Sequence, residues 1–276
     1  MKQGADSWSV GVTTRRSKQM DRTMSSCSYC SVRNKVVHAL LLVLLIVYMA
    51  PIAASADTGR SYLDLGGGYK TGDFGTPTTS SLYYATPTIG YVAPRYDVSV
   101  TIPYLSLSNK TGGTTTSESG IGDVILRGSR VFVPAGDKGF SFDGSLAAKL
   151  PTADKTTGLG TGEADYGVFL SAHQRVDGFK FTLLSGYIKV GEPSGIIYNN
   201  VYVYGLGISK VFGTTELNSS IAGRRAMVPR AQNPEEVSVG FFHILNVDYA
   251  IRGSVFKGLN NGGPDFGMDL GIVRLF

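Results

Sequence analysis

Residues 57–276 contain no cysteine and no tryptophan. The first absence excludes a disulfide framework, a thiolate nucleophile and a thiolate metal centre from this stretch. Helical periodicity is also missing after residue 56, which argues against a bundle, a βαβ unit and any phosphate loop that needs a following helix. Net charge is missing too: the stretch carries 19 basic and 19 acidic residues. The formal charge of +5 and the sequence pI near 9.1 therefore come from the first 56 residues, and nothing in the balance implies a nucleic-acid partner. Only His173 and His243 remain as imidazoles there, a thin supply for a metal site or a catalytic triad. No metal, no cofactor and no enzymatic activity are expected.

The segment before residue 57 reads as an export leader. Residues 36–50, VVHALLLVLLIVYMA, form an apolar run preceded by Arg33 and Lys35 and followed by Pro51 and small residues. Ala54-Ser55-Ala56 fits a small-x-small cleavage site, so residues 1–56 are expected to be leader and signal peptide, cut near Ala56. The run is shorter than the ~20 residues usual for a membrane-spanning helix. The stretch ahead of it is long for a signal peptide, so Met20 or Met24 is an alternative start. Cys27 and Cys30, spaced CxxC, would be lost on cleavage.

What residues 57–276 do contain is glycine (34), tyrosine and phenylalanine (26 together), and repeated apolar–polar alternation. In YDVSVTIPYL, Val98, Val100, Ile102 and Tyr104 share one face while Asp97, Ser99 and Thr101 share the other. FSFDGSLAAKL and VDYAIRGSV behave alike. Such alternation marks strands with two different environments. Twelve segments can be placed, at roughly 60–70, 80–93, 95–108, 120–133, 139–151, 163–175, 178–190, 198–212, 214–225, 236–245, 247–258 and 265–276. Breaks after even-numbered segments are short. Breaks after odd-numbered segments are longer and rich in Thr, Ser, Gly and Asn, among them NKTGGTTTSES and TADKTTGLGTGE. Short turns at one end and long polar loops at the other describe an outer-membrane β-barrel with periplasmic turns and extracellular loops. An even strand number puts both termini in the periplasm.

A soluble periplasmic β-sandwich would also alternate. The barrel is favoured because the apolar face recurs on nearly every segment with no other element to cover it, and because aromatics such as Tyr69, Tyr104, Tyr187 and Tyr249 sit near segment ends. The fold class expected is therefore all-β, a closed antiparallel transmembrane barrel of about 12 strands. Pro87 and Pro103 fall inside segments two and three and lie nearly opposite each other, which suggests a bulge. Segments seven and eight alternate poorly, and ten or fourteen strands stay open as counts.

With the apolar face toward lipid, the inward charged residues are Asp64, Asp123, Arg127, Asp143, Lys149, Asp165, Lys180, Glu216, Arg224, Asp248, Arg252 and Asp269. The signs are mixed, whereas a strongly ion-selective pore would show one sign in excess. These residues either line a solute pathway or pair among themselves to fill the barrel. About 8 strands are filled by side chains and 16–18 leave an aqueous channel; twelve lies between.

The stretches GIGDVILRGSRVF (120–132), LAAKLPTADKTTGLGTGEADYGVFLSAHQRV (146–176) and PDFGMDLGIVRLF (264–276) resemble the MetA-pathway of phenol degradation family. The G-x-GD opening, KLPT, GLGTG followed by an acidic residue, and the closing PDFG carry the likeness, which touches most of residues 120–276; residues 60–119 match only in style. The resemblance implies an outer-membrane location and passage of small solutes, aromatic or hydrophobic ones included. The end of the chain resembles the C-terminal signal read by the barrel-assembly machinery, with Gly271 and the final Phe276 in place and Arg274 where an apolar residue is usual. Arg274 is expected to snorkel to the periplasmic interface. The expected partners are outer-membrane lipid, the assembly machinery and a small-molecule solute. The alternatives are a closed structural or surface-contact barrel and, more remotely, an outer-leaflet lipid enzyme built on a histidine.

Overall fold

The computed structural model describes residues 59–276; the leader, the CxxC pair and the cleavage site lie outside the described residues. The described chain is a run of strands: β1 (Arg60–Gly72), β2 (Thr79–Val92), β3 (Tyr96–Thr101), β4 (Tyr104–Thr111), β5 (Thr114–Ile121), β6 (Val124–Val133), β7 (Phe140–Leu150), β8 (Asp165–Val176), β9 (Phe179–Lys189), β10 (Val201–Phe212), β11 (Thr215–Arg224), β12 (Glu235–Ile244), β13 (Tyr249–Gly258) and β14 (Phe266–Leu275). All join one antiparallel sheet, and β1 pairs with both β2 and β14, so the sheet closes on itself. In hydrocarbon that closure is obligatory, because an open edge would leave backbone groups without partners.

The fourteen segments make twelve staves. Strand β2 is long enough to pair with β3 at one end, through Val92↔Asp97, and with β4 at the other, through Ala85↔Tyr104. Strands β3 and β4 are thus one stave interrupted at Ile102-Pro103, and β5 and β6 are one stave interrupted at Gly122-Asp123. Pro103 lacks an N–H and ends the ladder. The break is bridged by Ile102 N–H donating to the Pro87 carbonyl at 3.1 Å and Gly122 N–H donating to the Pro103 carbonyl at 2.8 Å. The two prolines lie nearly opposite each other as expected, Pro87 against Ile102, but the irregularity is a split stave and not a bulge.

One expected loop is absent. NKTGGTTTSES is the tip of a β-hairpin, β4 turning into β5 through Gly112 and Gly113, whose φ angles are +55° and +87°. Two consecutive positive φ values are what a tight hairpin turn with the strands' own twist requires, and glycine supplies them without strain. The Thr-rich sequence resembled a polar loop by composition, but threonine is a good strand former.

The outward face is apolar as the alternation predicted. Leu65, Ile89, Val168, Leu206 and Leu270 are each at least half exposed in the isolated chain, the lipid-facing band of a transmembrane barrel. Strand β9 and residues 201–209 of β10 alternate strictly between more and less exposed positions. Their sequences alternate poorly because the inward side also carries apolar residues: Leu184 and Ile188 on β9, Val201 and Val203 on β10.

Candidate functional site

The inward charges gather into clusters rather than an open ring. Near mid-height of the wall, Arg252 on β13 lies opposite Gly271 on β14, which in turn lies opposite Gly66 on β1. Its guanidinium donates to both Asp64 oxygens, at 3.0 and 3.3 Å, and to Asp269 at 3.1 Å. Ser254 adds a hydrogen bond to Asp269. The fork geometry makes this a strong charge-assisted contact. A Cβ at Gly271 would stand 3.0 Å from Arg252 and 3.1 Å from Asp64. Gly271 therefore has a packing reason to be small, beyond any part in an assembly signal.

A second cluster sits at the long-loop end. Lys149 on β7 lies 3.0 Å from Asp123 and 3.0 Å from Asp165, and all three are buried. Thr161 accepts a further hydrogen bond from the ammonium at 3.2 Å. The carboxylates are held in turn: Ala153 N–H donates to Asp123 at 3.0 Å and Gly191 N–H to Asp165 at 2.8 Å. These side chains thus fasten the loop 151–164 and the start of the loop 190–200. In the same loop the exposed Asp154 carboxyl is held below its usual range by hydrogen bonds from the Thr156 backbone and hydroxyl.

Further pairs complete the inner wall. Lys180 on β9 reaches Glu216 on β11 at 2.7 Å. His173 on β8 bridges Asp143 on β7 at 2.8 Å and Thr182 on β9 at 2.9 Å. His243 lies on the outward face instead, in phase with Leu217 and Val239, and meets the Thr215 hydroxyl there at 2.7 Å. Arg127 on β6 stacks over the Phe169 ring at 5.9 Å. Arg224 lies at the long-loop end of β11, on the same face as Glu216. Asp248 differs from expectation in place: it sits in the β12–β13 turn and pairs with Arg60 at the rim. Among the described residues no group of three His, Cys, Asp or Glu side chains is arranged to hold a metal ion.

Two apolar clusters line the interior at the long-loop end, and the sequence reading named neither. One joins Leu82 of β2 and Leu105 and Leu107 of β4 with Ala153 and Leu159 of the loop 151–164. The other joins Ala147, Phe169, Ile188 and Val201 with the loop residues Tyr198 and Met227. Leu159 is the apolar residue of GLGTG, so this loop is anchored inward and does not hang free. The signal that could have found the second cluster is the broken alternation of β9 and β10.

Among curated proteins none matches the sequence. Of solved structures, the COG4313 outer membrane channel from Pseudomonas putida F1 superposes with a TM-score of 0.66 at 13% identity, covering 82% of this chain and 98% of that one. The KdgM porin in complex with disordered oligogalacturonate gives 0.53 at 10% identity over 78% and 99%. The beta domain of the Bordetella autotransporter BrkA gives 0.52 at 11% identity over 79% and 99%. At such identities the likeness establishes the fold, that of outer-membrane barrels. A family model described as "Putative MetA-pathway of phenol degradation" matches residues 60–264, so it also takes in the first staves, where the sequence resemblance was one of style alone. The chain belongs to that family.

Proposed function

We propose that the protein is an outer-membrane channel for small solutes, apolar and aromatic ones among them, entered past inward-folded loops. The observation that carries this is the zoning of the interior. The long-loop end presents apolar wall, with Leu159, Tyr198 and Met227 packed onto it, and the charged cluster there, Lys149 with Asp123 and Asp165, is buried and paired. Below it the charges are paired in place by Arg252, Lys180 and His173. A pore for ions would keep charges free to meet them. Paired charges leave a low net field, which suits neutral solutes. The likeness to a bacterial outer membrane channel and to a porin supports the same reading, as does the family's name.

The pairing favours a second reading as well, a closed barrel whose network only stabilises it. Single-channel recording in planar bilayers, together with influx of a small aromatic solute and of a sugar of similar size into liposomes, separates the two. The channel reading expects aromatic influx several-fold above that of the sugar, reduced by Phe169→Asp. Absence of both conductance and influx would sink it. Against an outer-leaflet lipid enzyme, His173 and His243 lie toward the short-turn end of their strands, away from the leaflet on which it would act.

A further inference from the structure

Two of the outward-facing cations, Arg274 and Lys210, are held the same way, each between aromatic rings. Arg274 on β14 lies opposite Tyr249 of β13. Its guanidinium stands 5.6 Å from the Tyr249 ring centre and 4.7 Å from that of Phe276. Lys210 on β10 lies opposite Phe179 of β9, with its ammonium 4.3 Å from the Phe179 ring and 5.6 Å from the Phe212 ring. Both sit within the last three residues of a strand at the short-turn end, and both share the outward face with apolar neighbours such as Leu206, Ile208 and Ile272. Among the described residues neither makes an ion pair, whereas Arg60, Lys149, Lys180 and Arg252 all do.

A cation at this depth without a carboxylate still needs a counter-charge. Ring faces supply part of the attraction and fix the head group, but they carry no net negative charge. The aromatic belt of a barrel lies at the level of the lipid head groups, where the anionic group available is the phosphodiester. We propose that Lys210 and Arg274 are the centres of two separate binding sites for the phosphodiester of periplasmic-leaflet phospholipids. The rings clamp each cation and also pack against the upper acyl chains. The sites lie on different parts of the wall, on β10 and β14, so each takes its own lipid.

Native mass spectrometry of the folded protein, equilibrated with phosphatidylglycerol micelles, tests this. The wild-type protein should retain phosphatidylglycerol at least fivefold better than diacylglycerol with the same chains. Retention should fall by one lipid in Lys210→Gln, by one in Arg274→Gln and by two in the double variant, with Lys257→Gln at the opposite end as an unaffected control. Folding of each variant is checked by its heat-modifiable mobility in gels. The wild-type comparison needs no variant: equal retention of diacylglycerol means apolar contact alone and overturns the proposal. So does unchanged retention in the folded double variant, or displacement of the lipid by millimolar inorganic phosphate.

Discussion

Lys149 illustrates how much a single inward residue decides. It neutralises Asp123 and Asp165 in a site almost closed to water. Removing one partner of a buried ionic group leaves charge unpaired and costs about 3–5 kcal/mol. Lys149→Met should therefore lower the unfolding free energy of the micelle-folded barrel by that order, read from its urea unfolding curve, and it should also free the loop 151–164 to limited proteolysis. A smaller loss is expected from Gly271→Val. The added side chain would push into Arg252 and Asp64, at about 1–3 kcal/mol for overpacking, read from the same unfolding curve. Both residues were picked out from sequence, Lys149 for its place on the polar face and Gly271 for its likeness to an assembly signal. Their partners were not legible, because Asp123 and Arg252 are brought near only by the register between strands.

At the scale of elements, the loop 151–164 and the β4–β5 hairpin depart furthest from their composition. A run of Thr, Gly and Asp predicts a mobile external segment, yet Leu159 is only 4% exposed because it packs on the inner wall. Replacing residues 153–161 with a short Gly-Ser linker should raise single-channel conductance several-fold if that loop narrows the mouth; unchanged conductance would place the constriction elsewhere. The hairpin gives a separate expectation. Changing Gly112 and Gly113 together to alanine forces two L-residues to positive φ, at roughly 1–2 kcal/mol each. Amide exchange at Thr111 and Thr114 should accelerate while the rest of the barrel keeps its protection.

For the whole molecule, the decisive event is closure between first and last strands. Strand β14 lies against β1 along ten residue pairs from Tyr62↔Leu275 to Thr71↔Phe266, and the end is tied off. Phe276 N–H donates to the Ser61 carbonyl at 2.9 Å. Arg60 donates to the Phe276 carbonyl at 3.3 Å and to the Val247 carbonyl at 2.7 Å, and it pairs with Asp248. Deletion of Phe276 is expected to cut the yield of membrane-inserted barrel in cells, whereas Arg274→Leu should insert normally; heat-modifiable mobility of the membrane fraction reads both. Normal insertion of the deletion would count against a closing role for this residue.

Sequence by itself determined the class of fold and its phase. Strand alternation has a period of two, so once lipid requires one apolar face, every side chain's direction follows along YDVSVTIPYL or VDYAIRGSV. Loop lengths then fixed which end is which, and a missing N–H at Pro103 marked an irregularity, although a bulge was expected there and the stave is split. Tertiary structure alone decided which inward charges meet. Asp64 and Arg252 are 188 residues apart in the chain, and their contact exists because the sheet closes. Only the structure showed that β9 and β10 turn apolar residues inward as well as outward, since a sequence that is apolar on both faces has no alternation to read. The same holds for Leu159: a polar loop and a loop folded into a barrel differ in what lies beneath them, not in composition.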